Sequence, residues 1–181
     1  MCQKLKTMTN TKWIIDPAHS EVQFKVKHLM IANVSGTFKV FKGEVQTESD
    51  DFNNAKVHFE IDTNTVDTNM EQRDKDLKSP LFLDTEKFPA ITFDGLLKKK
   101  SDNYELAGEI TVRGIKKNVT LDVELTGTGK GRFNDVRTGF EANGKLNRKD
   151  FGINVGLVTE TGSLVVGEEV KLHFDIEVIK Q

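Results

Sequence analysis

The chain holds one cysteine in 181 residues, Cys2, so no internal disulfide can form. No apolar run nears the roughly 20 residues that a membrane-crossing helix needs. There is no basic excess either: 26 Lys and Arg stand against 28 Asp and Glu, a net charge of −2. A general nucleic-acid binder would be visibly basic, so that class is excluded. The first twelve residues, MCQKLKTMTNTK, lack the apolar core of a secretory signal, and Cys2 lacks the hydrophobic segment of a lipoprotein anchor. The expected location is therefore the cytoplasm, or the periplasm if a signal has been removed.

Catalytic and metal-binding patterns are also missing. The four histidines, His19, His28, His58 and His173, form no HxH or HExxH spacing, and a CxxC pair is impossible with one cysteine. His19 and Ser20 are adjacent, and adjacent strand residues face opposite ways. The glycine-rich stretch Thr126–Arg132 lacks the GK[ST] ending of a phosphate loop. We expect no metal, no cofactor and no catalytic constellation. The least implausible acid–base pair, His28 with Asp74, leaves an enzyme as the alternative.

What the chain does have is alternation at period two. Val22-Phe24-Val26-His28, Val57-Phe59-Ile61, Val119-Leu121-Val123-Leu125 and Val170-Leu172-Phe174-Ile176-Val178 each put apolar residues on one face and polar residues on the other. Four more segments carry a glycine in phase with the apolar residues. They are Val34-Gly36-Phe38-Val40, Ile91-Phe93-Gly95-Leu97, Leu106-Gly108-Ile110-Val112 and Phe140-Ala142-Gly144-Leu146. Together they predict eight antiparallel strands with one dry face. A glycine on the buried face lets a sheet bend sharply or leaves space over it. Turn signals fall at Asn53-Asn54, Ser101-Asp102-Asn103, Gly114 and Thr126–Gly131. The phase slips at Val40-Phe41, which predicts a bulge, and Ile153-Val155-Leu157 reads as a short extra strand.

Strands of this kind form a sandwich or an up-and-down barrel; short links and inner-face glycines favour the barrel. We expect residues 1–11 as a disordered tail and 12–181 as one all-β barrel domain. Residues 63–89 hold the one convincing helix. Thr68 and Glu71 read as a capping box and Pro80 as a stop. The helix has a thin apolar face, Met70 and Leu77, which suits a lid or plug over a barrel end.

Up-and-down order collects His28, Arg73, Arg113, Lys116, Lys117 and Arg148 at that end, the mouth. The same phase turns Phe24, Val26, Phe38, Phe59, Phe93, Gly95, Ile110, Leu121, Phe140, Gly144, Leu172 and Phe174 inward. An eight-stranded barrel is just wide enough to be filled by side chains or to hold one small ligand. An apolar bore under a ring of cations suits a long apolar tail with a polar or anionic head, with His28, Arg73, Arg113 and Arg148 as head-group residues. Competing readings are that Arg73 pairs with Asp62, Asp67 or Asp84, that the lysines are solvated, that His28 is structural, and that the phenylalanines fill the bore.

Several pieces in order resemble one family: Asp16-Pro17-Ala18-His19-Ser20, Val22-Gln23-Phe24, Val26-Lys27-His28, Gly36-Thr37-Phe38, Arg73-Asp74 with Leu77, Phe88–Phe93, Gly108–Gly114 and Asn147–Gly152. From about Trp13 onward the chain is similar to the YceI family of lipocalin-like, polyisoprenoid-binding proteins. The resemblance implies a long apolar bore in an eight-stranded barrel. It implies an isoprenoid quinone or polyprenyl phosphate as the bound lipid, and a homodimer. Ile115 stands where the family's turn carries threonine, which implies one polar group fewer near the mouth. A carrier or store of lipid is the function implied; a stress or interaction protein with a filled barrel is the alternative.

Overall fold

The structure is a computed structural model that describes residues 10–156, 162 and 165–181. The strands are β1 (Thr11–Ile15), β2 (Glu21–His28), β3 (Ala32–Phe38), β4 (Phe41–Thr47), β5 (Ala55–Asp62), β6 (Val66–Asp67), β7 (Ala90–Lys100), β8 (Asn103–Val112), β9 (Ile115–Lys130), β10 (Val136–Asn147) and β11 (Val166–Lys180). The helix α1 spans Glu71–Lys78, between β6 and β7. All pairings are antiparallel.

These strands close into an eight-stranded barrel because two of its staves are broken in the middle. β1 and β2 are halves of one stave, interrupted at Asp16–Ser20, and both pair with β11: β1 at Val178–Lys180, β2 at Val166–Asp175. β3 and β4 are halves of the next, interrupted at Lys39-Val40; β3 pairs with β2 and β4 with β1. The ring then runs β4, β5, β7, β8, β9, β10, β11 and back to β1. The phase slip at Val40 is thus a full break rather than a one-residue bulge. Its backbone donors are taken over by Thr65: Lys39 N–H donates to the Thr65 carbonyl and Val40 N–H to its Oγ1.

Alternation sorts the faces as the pattern requires. His58 and His173 lie outside, against Asp94 and against Asn143 and Asp175. Arg113 and Gly114 (φ +51° and +71°) make a two-residue hairpin turn, the left-handed geometry that matches strand twist.

Three expectations need correction. Thr126–Lys130 is strand, not turn. Gly127 and Gly129 pair with Gly139 and Arg137, and β9 bulges at Thr126, opposite the step from Gly139 to Phe140. Ladder hydrogen bonds outweigh the weak strand preference of glycine there. Ile153 and Val155 form no strand, because their carbonyls are used by Arg148, and Leu157 lies outside the described residues. Thr68 and Glu71 make no capping box: Met70 occupies the N-cap without a side-chain bond, and Thr68 is held by Asp74 instead. Residues 1–9 lie outside the described residues, and strand begins at Thr11.

The broken stave is clamped from outside. Arg137 on β10 donates NH1 to Asp16 Oδ2 (2.7 Å) and Glu177 Oε1 (2.5 Å), and Nε to Asp135 Oδ2 (2.5 Å). Asp16 is held below the ordinary carboxylate range by His19 first, then Arg137, and Asp135 by Arg137 first. Carboxylates depressed in the folded state contribute stability above their unfolded pKa and lose it as pH falls through the folded one. Wild-type protein should therefore lose thermal stability below about pH 4, and Arg137→Met should flatten that loss. Melting curves from pH 6 to pH 2 check this; parallel curves for the two proteins would refute the clamp.

Candidate functional site

Among the described residues, the barrel interior holds a mouth chamber and a deep chamber. The mouth chamber measures about 150 Å³ and the deep chamber about 100 Å³. Both walls expose only apolar atoms. A water-sized sphere needs about 10–15 Å³ by such a measure, so each chamber holds several methyl-sized groups. Ile91 and Leu172 line both chambers and lie between them.

Phe24, Val26 and Phe38 line the mouth chamber. Phe59, Phe93, Ile110, Leu121, Phe140 and Phe174 line the deep one, and Leu172 lines both. Gly95 and Gly144, expected as bore residues, line neither. Their missing side chains are replaced by neighbours. A Cβ at Gly95 would lie 2.5 Å from Phe93 Cζ, and one at Gly108, opposite it across the β7–β8 ladder, 2.6 Å from the same atom. A Cβ at Gly36 would strike the Phe24 ring, and one at Gly144 would strike Leu121. The in-phase glycines are seats for side chains, and the empty space lies further along the bore.

The mouth is roofed by α1 and the segment after it. Leu77, Phe82 and Leu83 line the mouth chamber from above, and Phe151 and Ile153 close its side. The predicted head-group arginines hold these pieces together. Arg148 is only 5% exposed, and its guanidinium donates to the carbonyls of Gly167, Ile153, Val155 and Val166. Arg113 NH1 donates to the Phe82 carbonyl at 2.8 Å and the Gly152 carbonyl at 3.3 Å. Arg73 donates Nε to Thr68 Oγ1 and NH2 to the Thr68 carbonyl, while that hydroxyl donates to Asp74.

In the structure the three arginines of the expected ring of cations act as braces. A buried backbone carbonyl without a donor is costly, and the planar fork of arginine satisfies several at once. Arg73 takes Thr68 as its partner rather than an aspartate. His28 stays exposed at the end of β2, and Lys116 pairs with Glu109 at 2.9 Å. The Asp74 carboxylate that a His28–Asp74 acid–base pair would need accepts two bonds from Thr68. Asp16, His19 and Glu177 bring possible metal-ligating atoms together, but Arg137 already bonds an oxygen of each carboxylate and offsets part of their charge.

Two residues at the far end escaped the sequence pattern. Trp13 and Phe52 pack with ring centroids 5.0 Å apart, and Phe52 meets Phe140 edge-on at 5.1 Å. Phe52 lies in the polar turn Ser49–Asn54, where no periodicity operates. The available signal was a large aromatic among Asp and Asn.

Comparison with known proteins places this geometry. The YceI-like domain matches residues 13–178. Protein YceI of Salmonella newport is 38% identical over 164 residues, covering 90% of this chain and 83% of its own. The crystal structure of BcnA from Burkholderia cenocepacia superposes with a TM-score of 0.77 at 22% identity, over 90% of this chain and 98% of that one. A polyisoprenoid binding domain from Saccharophagus degradans, implicated in plant cell wall breakdown, gives 0.67 at 15% identity, over 93% of this chain and 98% of that one. These two structural likenesses are likenesses of fold.

If Arg148 is a brace, its removal strands buried carbonyls. Arg148→Met should lower unfolding stability by about 3 kcal/mol, read from urea denaturation. A variant as stable as wild type would return Arg148 to the head-group role.

Proposed function

The chain belongs to the YceI-like family, and on that footing we propose that it binds an amphiphilic isoprenoid lipid, a polyprenyl phosphate or an isoprenoid quinone, and carries or stores it without transforming it. The observation that supports this is the bore: two neighbouring chambers that share Ile91 and Leu172, with walls that expose only apolar atoms. Such a wall stabilises hydrocarbon by about 0.8 kcal/mol per buried CH₂. The fold shared with a polyisoprenoid binding domain supports the same ligand class. An isoprenoid tail threads the bore past Ile91 and Leu172, and the head group stays at the rim, because the described walls of both chambers expose only apolar atoms.

The small volumes favour one competing reading, a barrel whose own side chains suffice and which binds no lipid. Organic-solvent extraction of the purified protein followed by mass spectrometry separates the two. An isoprenoid lipid in near-stoichiometric amount is the expected result; an empty extract together with no uptake of added long-chain isoprenoids would sink the proposal.

The head group is read by a pair of titrations on Arg73→Gln and Arg113→Gln. A charge-assisted hydrogen bond contributes about 1.5–3 kcal/mol, so a phosphate held by either arginine should lose affinity at least about tenfold. A quinone should bind the variants as it binds wild type. Equal losses for both ligands would mean that the arginines act only by holding the roof.

A further inference from the structure

We propose that Phe52 is the floor of the bore and sets the longest isoprenoid chain the barrel accepts; this rests on the isoprenoid reading above. Phe140 is among the residues lining the deep chamber, the Phe52 ring meets it edge-on at 5.1 Å, and Trp13 packs against Phe52 in turn. Phe52 is 2% exposed although it belongs to a surface turn. Its backbone is left-handed, φ +55°, a region that bulky residues rarely adopt. Closing a turn requires no aromatic, and the other residues of this one, Ser49, Asp50, Asp51, Asn53 and Asn54, are ordinary turn formers. Phe133, in the β9–β10 connection at the same end of the barrel, is 85% exposed. The inward turn of Phe52 is therefore a property of that residue and not of the far-end connections in general.

The floor is also fixed. Tyr104 Oη donates to the Asp51 carbonyl at 2.6 Å, and Lys99 N–H donates to Asn53 Oδ1 at 3.0 Å, tying the turn to β8 and β7. Phe52 N–H donates to the Ser49 carbonyl and Ala55 N–H to the Phe52 carbonyl. At the mouth, by contrast, the bore is covered by a helix and a loop held by a few arginine bonds. A chain that enters past the roof runs down the bore and stops at the far end. A phenyl ring and an isoprene unit are of nearly equal size, so removing the ring opens room for about one more unit.

Trp13 is the sole tryptophan and touches Phe52, so its emission reports on the floor. Full-length wild type, Phe52→Gly and Phe52→Leu are titrated with polyprenols of increasing length, following Trp13 fluorescence. Glycine removes the ring and suits the left-handed backbone, while leucine is the milder change should the first variant not fold. Phe133→Gly serves as a control at the same end. Wild type should bind more tightly with each added unit up to a limit and weaken beyond it. The limit should move out by about one unit in Phe52→Gly, affinity for the first excluded chain should rise in Phe52→Leu, and Phe133→Gly should match wild type. A folded Phe52 variant with the wild-type limit would overturn the floor assignment alone. Failure of wild type to bind any polyprenol would overturn the isoprenoid reading, and the floor assignment with it.

Discussion

One edge of β11 has to receive two strands, and the barrel depends on how it does so. β11 is ladder-bonded along β10 on one side, while its other side gives its first half to β2 and its last residues to β1. A single straight stave could not follow that edge around the twist, so it breaks at Asp16–Ser20, and its neighbour breaks in register at Lys39-Val40. The freed backbone groups are not left empty. Glu177 N–H donates to Ser20 Oγ, Asp16 N–H donates to the Glu177 carbonyl, and Thr65 receives the donors of the second break. The closed ring then needs no unpaired edge at its seam, and a sealed apolar interior follows from it.

Within that frame the interior is organised by exchange between glycines and rings. Phe93 lies over Gly95 and Gly108, and Phe24 lies over Gly36. Each ring takes the space that a side chain at the glycine would have filled. Ile91 and Leu172 lie where the two chambers meet.

Much of this was legible in the residues and some was not, for identifiable reasons. Period two reports a face, so the eight staves, the outward histidines and ten inward side chains could be read from alternation. It does not report depth or neighbours, so it could not tell that Gly95 and Gly144 are covered by Phe93 and Leu121. β1 escaped because Thr11–Ile15 is short and its inward pair, Trp13 and Ile15, is too brief for a pattern. Collecting arginines at one end followed from topology. What they bond to did not, because a guanidinium looks alike in sequence whether it faces a phosphate or four carbonyls. Phe52 escaped because turns carry no period at all.

Four neutral dipoles around Arg148 have a consequence for the conditions under which the mouth keeps its shape. Carbonyl oxygens do not titrate in any ordinary solution, and a buried cation among them is poorly reached by mobile ions. The surface clamp at Arg137 is of the opposite kind, built from carboxylates that acid can neutralise and salt can screen. The two ends of the design therefore answer to different variables. Acid and ionic strength act on the seam of the wall, whereas the entrance responds to whatever can compete for backbone carbonyls, which in a cell is chiefly water.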